Sequence, residues 1–142
     1  MANPREAGAV VARDAIVFNE ARHGGNLLVT GSGRDSEVTV CAIDAYEALV
    51  GHVLAFASLG DAVPDPRIHA PGCRAAALRA EAMVAADAET RLSPTLVRAI
   101  VEASCALARE PHVDEPDAAL RRRCAAAPKL TADYLVRLEA RG

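Results

Sequence analysis

The sequence predicts an α+β fold: a small antiparallel sheet of two to three strands in the N-terminal third, followed by about five helices. Three observations carry this expectation. Up to Ile43 the chain reads as strand and turn, with β-branched runs broken by glycine pairs. Across residues 37–59 (EVTVCAIDAYEALVGHVLAFASL) the apolar period changes from two to helical. From Asp44 onward, helix-start and helix-stop residues recur almost to the end of the chain.

Residues 1–8 are expected to fray. Residues 10–19 (VVARDAIVFN) have β-branched content and loose alternation and read as a strand. Residues 20–26 form a turn around Gly24 and Gly25, and residues 27–30 (LLVT) a short strand. The polar run 31–36 has hairpin length. In residues 37–43, Val38, Val40 and Ala42 face one side and Thr39, Cys41 and Ile43 the other, the pattern of a covered strand. Asp44 caps the first helix and Glu47 completes a capping box; Gly60 ends it. This helix is apolar nearly all round, so it needs more than one covering layer.

Residues 61–72 hold Pro64, Pro66 and Pro71 and are expected to form a loop, the candidate internal boundary of what is otherwise one domain over residues 1–142. Beyond it, helices are expected at 73–90, 94–109, 116–127 and 132–141. Ser93 caps the second of these with Pro94 in the first position, and Leu92 and Val97 are placed for a hydrophobic staple. Its core stripe is expected to be Val97, Ile100, Val101, Ser104, Cys105 and Ala108, with Arg98 and Glu102 paired on the wet face. Thr131 is expected to cap the last helix, with a Leu130–Leu135 staple.

Composition limits the function classes. Hydrophobic residues make up 51% of the 142 residues, enough for a self-sufficient core. The net charge of −3 disfavours a general polyanion binder. The balance is uneven: residues 1–90 carry −5 and residues 91–142 carry +2, the basic excess centred on Arg121, Arg122 and Arg123. The four aromatics, Phe18, Tyr46, Phe56 and Tyr134, offer few platforms for stacking on bases. No apolar run is long enough to cross a bilayer, and no signal-peptide core is present at the N-terminus, so a cytoplasmic bacterial protein is expected, without a membrane partner. Cys41, Cys73, Cys105 and Cys124 lack the close pairing of zinc knuckles and read as small buried hydrophobes in a reducing compartment.

Motifs that carry chemistry are sparse. Gly31-Ser32-Gly33 precedes a strand, whereas phosphate loops precede a helix. His23, Gly24 and Gly25 beside Arg22 are an anion-nest candidate, though a plain turn is favoured. Cys41 lies just before a helix start, which lowers a thiol pKa. His52 sits in the apolar helix without a carboxylate on its face. No catalytic, metal or cofactor constellation is expected; Cys41, His52 and His23 remain candidates for a ligand site.

Residues 40–49 (VCAIDAYEAL), with His52 following, resemble a small bacterial family of unknown function, in which a strand ending Cys-Ala-Ile-Ser leads into a helix opening with Glu-Ala-Leu. Here Asp44 stands at the Ser position, and both residues are good caps. Ile16, Val17 and Phe18 are similar to the family's early strand. The likeness covers about residues 13–56, supports the fold and implies no activity.

The function expected first is a non-catalytic interaction or regulatory protein, homodimeric through the apolar helix at Tyr46, Val50, Gly51, Leu54 and Phe56, with a further protein partner open. The alternatives are a small-ligand binder or enzyme with a pocket near Cys41 and His52, and a DNA-binding regulator using the C-terminal helices, where Lys129, Arg137 and Arg141 would join the arginine cluster. Nucleic acid is the less favoured partner.

Overall fold

The computed structural model describes residues 3–20, 22, 24–30, 39–42, 58–66 and 75–141. These are organised by five helices: α1 (Pro4–Val17), α2 (Ala75–Glu89), α3 (Pro94–Ala108), α4 (Asp114–Ala125) and α5 (Ala127–Glu139). The fold is helical, which overturns the α+β expectation. Leu27–Thr30 and Thr39–Ala42 pair antiparallel, Leu27 opposite Ala42 and Thr30 opposite Thr39, as a four-residue ribbon beside α1. Two strands this short form no covering layer.

The largest correction is at the N-terminus. Residues 10–19, expected as a strand, are mostly α1, and residues 4–8, expected to fray, are its opening turns. Asn3 is the N-cap: its side-chain oxygen accepts from the Arg5 N–H at 3.1 Å, and Pro4 takes the first position, where a missing N–H costs nothing. Glu6 adds an acid to the first turn, complementing the helix dipole. The helix stops at Phe18, whose left-handed backbone (φ 55°) turns the Asn19 N–H back onto the Asp14 carbonyl at 3.0 Å. The β-branched residues that suggested a strand lie at helical spacing. Ala7, Val11 and Ala15 enter one cluster, and Ala12 and Ile16 the other. Burial on two sides outweighs the small helix penalty of Val and Ile.

One cluster joins Ala12 and Ile16 to Ala86 of α2, Val97, Val101 and Cys105 of α3, and Ala119, Leu120 and Cys124 of α4. The second joins the other side of α1 to Leu78 and Ala82 of α2, Val63, and Leu130, Tyr134, Leu135 and Leu138 of α5. Helix α1 thus lies between the two and packs most extensively on α2. Gly8 makes that approach close: a Cβ there would meet Ala82 N at 2.6 Å and Glu81 C at 2.7 Å.

The C-terminal helices correct the expected boundaries. Ser93 caps α3 as expected, accepting from Leu96 N–H at 3.1 Å, and Leu92 packs on the cluster that contains Val97. Helix α4 begins at Asp114 rather than Pro116, its first turn bearing Asp114, Glu115 and Asp117. Helix α5 begins at Ala127 with no side-chain cap, so Thr131 is not a cap; it is buried within the helix. Leu130 and Leu135 are both core residues instead of a staple. Pro128 sits in the first turn, where it does not interrupt the helix.

The loop through residues 58–66 lies against the helices. Gly60 is left-handed at φ 55°. Val63 is buried in the second cluster, and the side chains of Pro64 and Pro66 are fully buried. Three cations hold the segment: Arg123 donates to Gly60 O at 2.7 Å and Ala62 O at 2.8 Å, Lys129 pairs with Asp61 at 2.5 Å, and Arg137 reaches Val63 O at 3.0 Å and Asp65 at 2.9 Å.

Two stability outcomes follow from this packing. Gly→Ala inside a helix ordinarily stabilises by about 1 kcal/mol. Gly8→Ala should instead destabilise by about 1–3 kcal/mol, because the new methyl forces α1 and α2 apart; urea denaturation with a midpoint at or above that of the unmodified protein would refute the close approach. Arg123→Met should cost about 3 kcal/mol or more, since several buried carbonyls lose their donor at once. Arg123→Lys should recover only a minor part, because an ammonium cannot span the same acceptors. A loss below about 1 kcal/mol for Arg123→Met would contradict this role.

Candidate interaction surface

Of the residues expected to form a ligand site, Cys41 alone lies among the described residues. Cys41 lies in the second strand of the ribbon, opposite Leu28. His23 and His52 fall outside the described residues, as do Tyr46, Val50, Gly51, Leu54 and Phe56, the expected dimer contacts, and Asp44, the expected helix start. Among the described residues, no group of three or more His, Cys, Asp or Glu is placed to hold a metal ion.

Arg22, assigned in sequence to a candidate anion nest, is buried and matched. Its Nε and Nη2 donate to the two oxygens of Asp14 at 2.8 and 2.9 Å, and its Nη1 donates to Asn26 O at 3.1 Å. Asn19, also buried, donates to Asp14 Oδ1 at 3.0 Å. Gly24–Asn26 is a single 3₁₀ turn. This bidentate geometry is what a buried ion pair requires to offset its desolvation. The pair therefore ties the end of α1 to the turn that enters the ribbon.

The arginine cluster fans as helical geometry requires. Arg123 turns inward, Arg121 pairs with Asp117 at 3.0 Å and also donates to Pro94 O at 3.3 Å, and Arg122 is exposed. Lys129 and Arg137, which a nucleic-acid surface would need, are engaged by Asp61 and Asp65.

Two open grooves occur among the described residues. One, between α1 and α2, is lined by paired charges and small side chains, including Arg13, Glu81 and Glu89. The other lies along α3 beside α4, at Pro94, Arg98, Ala99, Glu102 and Arg121. Its charges are satisfied: Arg98 donates to Glu102 at 2.9 Å and to Asp114 at 2.7 Å.

The surface that stands out is the outer face of α3. Val97, Val101, Ser104 and Cys105 are buried on its inner side. Ile100, expected on that side, lies instead on the outer face. There Leu96, Ile100 and Leu107 are 47%, 38% and 71% exposed. Ala99, Ala103 and Ala106 are exposed between them, and no charged residue interrupts the run. At about 100° per residue, Leu96, Ile100, Ala103 and Leu107 form one line along the helix. Scattered apolar side chains are ordinary on a protein surface; an aligned, uncharged run of them is a candidate for contact with a partner. The signal was legible in the sequence, because α3 is apolar on two sides, as residues 44–59 are.

Comparisons with protein-family models, with curated proteins and with solved structures give no match for the chain. No helix among the described residues is long and apolar enough to cross a membrane.

Cys105 and Cys124 are free and buried beneath this helix and α4. Burial, reinforced by Glu89, pushes the Cys124 thiol up to about 11 from an ordinary 9.0. Burial also raises Cys105 and Tyr134. A folded pKa above the unfolded value means the folded state favours the neutral thiol. That contribution is whole below pH 9.0 and is lost as pH rises through about 11. Cys124 by itself should therefore account for about 2 kcal/mol of the stability lost in urea between pH 8.5 and 11, a part that Cys124→Ala should not lose. Equal pH dependence in the two proteins would remove Cys124 as a cause.

Proposed function

We propose that the chain is a non-catalytic interaction protein of the bacterial cytoplasm that acts as a homodimer. The observation that carries the reading is the outer face of α3, where Leu96, Ile100 and Leu107 remain exposed in one line although the opposite side of the helix is core. Covering such a face removes apolar surface from water without breaking any internal pairing. The free, buried state of Cys105 and Cys124 suits a reducing compartment. Engagement of Lys129 and Arg137 by Asp61 and Asp65 favours a protein partner over nucleic acid.

Sedimentation equilibrium tests the reading directly. The mass should rise with concentration from 14.8 kDa toward twice that value. Leu107→Glu should weaken association about tenfold while leaving the thermal unfolding midpoint nearly unchanged, because the side chain is exposed. A 14.8 kDa species at every concentration up to the millimolar range would overturn homodimerisation.

A further inference from the structure

No further inference is drawn: the strongest candidate, the open groove along α3 beside α4 that Arg98, Glu102 and Arg121 line, carries nothing, because its arginines are already matched by Glu102, Asp114 and Asp117 and the unpartnered buried oxygen of Asp117 is not part of its lining.

Discussion

The guanidinium of Arg123 is the contact on which the described architecture depends. It donates to Ile16 O at 2.6 Å and Ala15 O at 2.7 Å, two carbonyls of the last turn of α1, and to Gly60 O and Ala62 O of the loop over residues 58–66. It also stands over the Phe18 ring, 5.9 Å from its centroid. A helix end leaves carbonyls without internal partners and carries negative dipole charge. A buried cation satisfies both needs at once. Burial pulls the Arg123 pKa down from its ordinary value, the cost of removing a charge from water. An arginine tolerates this because its planar fork reaches several acceptors together.

That contact explains why α1 can occupy the centre. Its C-terminus would otherwise bring unsatisfied carbonyls into an apolar region. With Arg123 on the carbonyls, Asp14 near the same end paired to Arg22, and Asn19 completing the carboxylate's contacts, the polar groups there are matched. The two buried clusters can then close on either side of the helix. The same cation joins Lys129 and Arg137 in holding residues 60–65, so the loop that carries Val63 into the core is positioned from α4 and α5. Exposed pairs such as Lys129 with Asp61 contribute little alone; their effect is to locate a segment whose Val63, Pro64 and Pro66 are buried.

Helix α3 plays the opposite part, packed on one side and bare on the other. Residues 94–108 contain almost no charge beyond Arg98 and Glu102, yet the core takes only Val97, Val101, Ser104 and Cys105. The sequence of residues 44–59 calls for a second covering layer, whereas the pattern of α3 suggests a single stripe with Ile100 inside it. The difference between an inner and an outer apolar side has no local signature. It depends on which neighbours are available; among the described residues, α4 and the cluster around Ala12 lie on the inner side of α3.

The sequence alone determined the helical C-terminal half, because capping residues and prolines act within one turn. Ser93 with Pro94 marks the start of α3, Arg98 meets Glu102 as i, i+4 geometry requires, and the arginine cluster could not point one way. It also holds the N-terminal cap, Asn3 with Pro4 and Glu6, alongside β-branched residues at 10, 11, 16 and 17 that locally favour a strand. Tertiary structure alone decided that α1 is a central helix, that Thr131 is buried instead of capping, that Arg123 is the inward arginine, and that Ile100 faces out. Propensities of Val and Ile differ between helix and strand by a fraction of a kcal/mol, while burial of one such side chain is worth about 1.5–3 kcal/mol. Partners distant in sequence therefore set the outcome: 107 residues separate Arg123 from the Ile16 carbonyl it satisfies.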